Sequence, residues 1–358
     1  MFKRLSAIAV TLGFVLGGWA LAGDAPKPAA QSQAAAEKQR FRVSVEAIGL
    51  FRTAGADKAG LFYEPIPDDG VEERKLLDTK DVGLAGDLAV SPKLTIAYDI
   101  TDSQAIEASY FGFGIMNWET RDSVYDPNAL SFAPFDGGFD NFTLDFDDID
   151  IGKAEYRSEL NHNAEISYRH TLVAADGDSL IAGSGVLGGV RYMNVDEDLK
   201  LLGSDPASIV ATGTRAWGAY KINTSNDMIG GQIGGVLALN PHKCVRVELT
   251  GKAALMANMM DKTDWLNDPA NLSFEGEVRV RNSTSKTGFA FIGDLSAKVS
   301  GKVHENIWLT AGYNALFVTG LALAPEQLDW SELRIRRNRI ETGDAIYHGF
   351  TAGLTIKW

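Results

Sequence analysis

The sequence predicts an all-β fold: a transmembrane, antiparallel, up-and-down β-barrel of about ten strands, with about twelve as the alternative count. Three observations predict it. Segments with a two-residue hydrophobic period recur from Phe41 onward, the connections between them alternate between short and long, and the chain closes on a strand-like stretch that finishes with an aromatic. A strand crosses the apolar part of a bilayer in about ten residues tilted near 45°, with alternate side chains toward lipid and toward the interior.

The elements follow in order. Lys3 and Arg4 precede an apolar run from Leu5 to Trp19, and Ala20-Leu21-Ala22 has the small-x-small form of a cleavage site, so residues 1–22 read as a secretory signal peptide. No Cys follows that site to accept a lipid. Residues 23–39, rich in Ala, Gln and Pro, read as a short flexible periplasmic tail, and residues 40–358 as the barrel.

Within the barrel, Phe41, Val43, Val45, Ala47, Gly49 and Phe51 share one face opposite Arg42, Ser44 and Glu46. Even positions from Val82 to Ile100 are mostly apolar, with Pro92 a break or bulge in the run. A strand from Ala105 to about Met116 precedes an acidic stretch ending at Asp150. From Arg157 to Arg169 seven consecutive odd positions are polar, which a helix would scatter around its circumference, so period two is preferred there. A Gly-rich strand ends at Gly189-Val190-Arg191-Tyr192, and its return runs to about Leu239. Val245 to Ala257, Phe289 to Val299 and Ile307 to Val318 alternate in the same way. The closing strand, Tyr347 to Trp358, sets Phe350, Ala352, Leu354, Ile356 and Trp358 toward lipid. Leu199 to Lys221 has room for one more hairpin, which would make about twelve strands.

Connections 101–104, 174–179, 240–243 and 301–306 are short, whereas 52–80, 117–150, 196–217, 260–286 and 319–346 are long. Short periplasmic turns, long external loops and termini inside are the expected orientation.

Composition narrows the function. The chain holds 34 Lys and Arg against 47 Asp and Glu, a net charge of −13. Loss of residues 1–22 removes Lys3 and Arg4 and no acid, so the mature chain is more acidic still, a charge balance that excludes nucleic acid as a partner. The single Cys244 forms no internal disulfide and reads as a small apolar residue near a turn. Beyond residue 22 no apolar run reaches the about eighteen residues of a membrane helix, the most apolar stretch being Ala315 to Ala324.

The alternation sets Arg157, Glu159, Asn161, Asn163, Glu165, Arg169, Arg246, Glu248, Lys252, Asp294 and Lys298 toward the lumen. They are the expected pore lining; the alternative is that these charges pair across a filled lumen and only stabilise the barrel. Asn117 to Asp150 carries nine acids against one base, Arg121. Asp136, Asp140, Asp145, Asp147 and Asp148 are the one candidate for a metal, Ca²⁺, because hard cations take carboxylate oxygens and Gly137 and Gly138 allow tight turns. Their spacing matches neither an EF-hand nor a nonapeptide calcium repeat, and a solvated loop is the alternative. No other cofactor is expected. Arg334, Arg336, Arg337 and Arg339 form an external basic cluster suited to the acidic loop or to lipopolysaccharide phosphates, and otherwise to a pore mouth. The chain is not expected to be an enzyme. Its histidines are scattered without zinc spacing, no Ser/His pair stands out, and an approach of His348 to Asp344 at the external rim is the one protease-like arrangement.

Three segments, Ser158–Arg169, Gly189–Glu197 and Asn226–Gly235, resemble the planctomycete-type outer-membrane β-barrel porin family, a group related to Legionella-type pore-forming outer-membrane proteins. The resemblance implies an outer-membrane barrel and a passive pore, and it brings no catalytic residue. The expected function is therefore weakly selective diffusion of small hydrophilic solutes, with a non-conducting structural or adhesin-like barrel as the competing class. Expected partners are outer-membrane lipid and lipopolysaccharide, the barrel-assembly machinery through the strand ending at Trp358, the solutes themselves, and further copies of the chain in a homo-oligomer.

Overall fold

The computed structural model describes residues 40–53, 60–64, 74–78, 87–132, 149–174, 181–205, 216–267, 278–328 and 339–358. The expected signal peptide and tail, the Ca²⁺ candidates Asp136, Asp140, Asp145, Asp147 and Asp148, and Arg334, Arg336 and Arg337 lie outside the described residues.

Among the described residues thirteen strands form one antiparallel sheet: β1 (Phe41–Thr53), β2 (Gly60–Glu64), β3 (Arg74–Asp78), β4 (Leu88–Asp99), β5 (Gln104–Phe111), β6 (Met116–Phe132), β7 (Ile149–Ala174), β8 (Ile181–Asp205), β9 (Ala216–His242), β10 (Val245–Asn267), β11 (Val278–Lys302), β12 (Ile307–Leu321) and β13 (Gly343–Lys357). Ten of them close a ring, in the order β1, β4, β5, β7, β8, β9, β10, β11, β12, β13 and back to β1. Closure is sealed where Phe41 N–H donates to Trp358 O at 2.9 Å and Trp358 N–H donates to Phe41 O at 3.0 Å. β6 continues the line of β5 along β7, and the β2–β3 hairpin adds to its far end. The twelve-strand alternative does not hold. β8 and β9 stay paired to Asp205 opposite Ala216, so the described residues of Leu199–Lys221 continue these two strands and form no separate pair.

The turns at 100–103, 243–244 and 303–306 and the strand ends at Ala174 and Ile181 gather at one end with both barrel termini, and the strand ends joined by the longer connections lie at the other. The longer connections start later than the alternation suggests. Residues 117–132, 196–205 and 260–267 are strand, because the hydrophobic pattern inverts rather than ending. Near the short turns β10 turns Leu249 and Leu255 outward and Arg246, Glu248 and Lys252 inward, whereas higher up it turns Asp261 outward and Met256 and Met260 inward. The pleat keeps its phase while the solvent outside changes from hydrocarbon to water.

That inversion marks the bilayer. Apolar side chains stand exposed around the lower wall, Phe289 at 80%, Ile233 at 71% and Phe350 at 62% among them, which a closed barrel in water would bury. Phe350, Ala352, Leu354, Ile356 and Trp358 are exposed as expected, while Thr351 and Thr355 between them are buried. Aromatics edge the belt: Phe41, Tyr98 and Trp358 below, with Phe41 ring centroids 4.8 and 6.1 Å from the other two, and Tyr110 with Phe113, 4.4 Å apart, above. The ten residue steps from Phe41 to Phe51 span about 33 Å of strand, or about 23 Å of height at a 45° tilt, close to the apolar band of such barrels. Pro92 fits in β4 without breaking it. It lies one position beyond Lys93, the last residue paired to β5, where its missing N–H is not needed.

Candidate functional site: the barrel interior

The interior divides into a charged lower chamber and an apolar upper fill. β1, β10, β11 and β13 direct their inward positions into the chamber, and ladder partners face the same side, so Glu248 meets Lys298 and Lys252 meets Asp294 across one pair of strands. At the mouth beside the short turns, Arg246 and Arg169 share Glu248, with N···O distances of 3.3 and 3.5 Å. Lys357 lies over the Trp308 ring at 4.5 Å. Ser44 and Thr355 hydroxyls meet at 2.7 Å, and those of Ser300 and Thr310 at 3.0 Å.

Further in, the charges interlock. Lys298 Nζ donates to both oxygens of Glu46 at 2.8 and 2.9 Å, and the Thr351 hydroxyl adds 3.3 Å. Lys252 Nζ reaches Glu165 at 2.6 Å, and Gln232 Nε2 donates to the same carboxylate at 3.1 Å and to Ser167 Oγ at 2.8 Å. Arg191, 2% exposed, donates to Asn163 Oδ1 at 2.8 Å and to Asp294 Oδ2 at 3.1 Å. Sequence reasoning missed Arg191, Gln232, Glu46 and Lys93, although their inward phase follows once each strand is aligned.

The structure brings Asn163, Glu165, Arg169, Arg246, Glu248, Lys252, Asp294 and Lys298 together in this chamber, and it corrects Arg157 and Glu159. In β7 Leu160 pairs with Val195 but His162 with Asn194, so Asn161 is an extra residue, a bulge that flips the side-chain phase. Below it odd residues point in; above it Tyr156, Ser158 and Leu160 are buried inside. Arg157 and Glu159 therefore pair with each other on the outer wall, and Asn161 donates to Asn194 Oδ1 at 2.9 Å and Asp196 Oδ2 at 2.8 Å. Gly112 packs on this bulge with φ of 109°, where a Cβ would sit 2.7 Å from Asn161 O. Seven polar odd positions in a row hid the shift.

Above the chamber the lumen is full. Ile48, Leu50, Met116, Trp118, Leu160, Met193, Val195, Met256, Ile292 and Leu316 belong to one apolar cluster, all at most 4% exposed. Into it fold the end of β12 and the residues that follow it. Gly320, at φ 78°, turns the chain where a Cβ would lie 2.5 Å from Phe289 O, and Leu321, Ala322, Leu323 and Ala324 are each 0% exposed. Expected as external loop, these residues form an internal stopper.

Its backbone is pinned by side chains. Asn226 binds Ala322 in both directions, its Nδ2 donating to the carbonyl at 3.0 Å and its Oδ1 accepting from the N–H at 2.7 Å. Asn258 Nδ2 donates to Gly320 O at 2.9 Å and to Asn226 Oδ1 at 3.0 Å. Ala324 N–H donates to Glu197 at 2.9 Å, and the same buried carboxylate accepts from Arg52 at 2.5 Å, Tyr156 at 2.9 Å and Ser158 at 3.1 Å. A 3-10 turn, Pro325–Gln327, follows, and Gln327 ties Leu323 O to both backbone groups of Glu341. The available sequence clue was the apolar run Ala315–Ala324 continuing past the strand.

The remaining candidates sit apart. Arg339 is exposed and 2.5 Å from Glu341. His348 and Asp344 both lie on β13, separated by four residues or about 13 Å of strand, and His348 Nδ1 is 2.6 Å from the Tyr313 hydroxyl. Cys244 is exposed in the β9–β10 turn. No group of three metal-binding side chains occurs among the described residues.

The fold and interior define a ten-stranded membrane β-barrel with a charged chamber and an apolar stopper. No protein-family model matches the chain, and no curated protein matches it. Among solved structures it is similar to the outer-membrane protease OmpT of Escherichia coli (11% identity, TM-score 0.38, covering 89% of this chain and 97% of that one). It is also similar to the translocator domain of the autotransporter NalP of Neisseria meningitidis (11%, 0.31, 90% and 90%) and to a FadL homologue of Pseudomonas aeruginosa (10%, 0.25, 90% and 90%). Likenesses of this size carry no argument about activity.

Proposed function

We propose that the chain is an outer-membrane barrel of the resembled porin type that is shut in this conformation, its lumen serving as a chamber open at the periplasmic end and stopped before the outer one. One observation carries the reading: Leu321–Ala324 lie fully buried in the upper lumen, and the segment Gly320–Ala324 is bonded to Glu197 of β8, Asn226 of β9 and Asn258 of β10. Ion pairs inside the chamber stiffen the wall, and passage of a hydrophilic solute requires the stopper to leave. The non-conducting structural barrel expected as the alternative thus describes the resting state, and the weakly selective pore describes the state with the stopper out.

Osmotic swelling of proteoliposomes tests this. The wild type is expected to give no swelling with small sugars, while the double variant Asn226→Ala, Asn258→Ala, which removes three side-chain bonds to Gly320 and Ala322, is expected to swell. Swelling by the wild type at an open-pore rate would overturn the closed reading.

A further inference from the structure

We propose that the lower chamber is a binding site for a small multivalent oxyanion of the phosphate class, admitted from the short-turn end and anchored at its inner end by Lys93. The chamber is a cavity of about 140 Å³, lined by seven cationic side chains against four carboxylates, although the whole chain is at −13. With about 10–15 Å³ of such space needed per water, that is room for a phosphate-sized anion with part of its hydration.

The carboxylates are largely committed. Glu46 stands opposite Lys93 in the β1–β4 ladder, but both its oxygens are bonded by Lys298. Glu165, just behind the lining, is taken by Lys252, Asp294 by Arg191 and Glu248 by two arginines. Glu107 lies opposite Ala97, four positions or about 13 Å nearer the mouth than Lys93. Among the described residues, Lys93 and Lys357 have no carboxylate within ion-pair distance.

Lys93 is the more telling of the two. Its ammonium sits 5.7 Å from the ring centroid of Phe111, a member of the apolar fill, and the charges of Lys298, Lys252, Glu46 and Glu165 act on it. An ammonium held against an apolar floor beside two other amines, with its two neighbouring carboxylates, Glu46 and Glu165, already bonded to Lys298 and Lys252, loses hydration for little direct pairing, and a multivalent anion between the three amines would supply it. Lys357, Arg42 and Arg246 at the mouth place a positive field along the entry path.

The site depends on the chamber being open at the short-turn end and is independent of whether the stopper moves, so swelling results do not decide it. Isothermal titration calorimetry on the folded full chain in detergent decides it, with inorganic phosphate and pyrophosphate as probes at constant ionic strength set by sodium chloride. The expected result is saturable one-to-one binding, tighter for pyrophosphate, weakened about tenfold or more in Lys93→Met and unchanged in Lys200→Met on the outer wall. Lys357→Met, expected to weaken binding less, is read separately, and heat-modifiable gel mobility reports folding of each variant. No saturable heat with either probe, or equal affinity in wild type and Lys93→Met, would overturn the proposal.

Discussion

Glu197 shows how much one side chain can hold. It is 1% exposed and accepts from Tyr156 and Ser158 of β7, from Arg52 of β1 and from the stopper backbone, so its loss leaves Arg52 as a buried cation without its partner. Glu197→Ala is expected to lower stability by about 3–5 kcal/mol in denaturant unfolding from detergent, a cost of breaking a buried pair from one side. Unfolding at the wild-type midpoint would show that the carboxylate does not hold the upper barrel. Single residues also set the limit of what the sequence discloses. Glu165 and Glu159 belong to one unbroken polar alternation, yet only the bulge at Asn161 decides which of them faces in. A bulge carries no composition of its own, so its position becomes visible only when the neighbouring strand is laid beside it.

At the scale of the element, each of the long strands β8 to β11 is two strands in sequence terms. The lower half shows apolar residues to lipid and polar ones to water inside, and this half was legible because its alternation is regular and its outer face uniform. The upper half keeps its pleat but exchanges the faces, so β8 continues with Asp196, Asp198 and Lys200 outside and Glu197, Leu199 and Leu201 inside, and reads as a loop when only the lower pattern is sought. The lower-half phase is open to test on β13 and β11. Leu354→Arg, on the exposed wall near the middle of the belt, is expected to cost about 2–4 kcal/mol, whereas Ser296→Arg, facing the chamber, is expected to refold nearly as well as wild type. Equal losses in refolding yield would show that the belt is misplaced.

For the whole molecule, the count of ten strands and the grouping of short turns were legible because closure forces an up-and-down order, while the stopper was not, since a loop that folds inward has the same length as one that folds outward. The proposed orientation places Cys244, exposed in a short turn, on the periplasmic side. A membrane-impermeant maleimide is therefore expected to leave it unlabelled in intact cells and to label it once the outer membrane is opened, and labelling of intact cells would reverse the barrel. The central claim is that Leu321–Ala324 close the lumen, and single-channel recording in planar bilayers tests it most directly. Folded wild type is expected to show no sustained conductance steps, and the Asn226→Ala, Asn258→Ala variant to show them; steady steps from the wild type, or silence from both, would contradict the account.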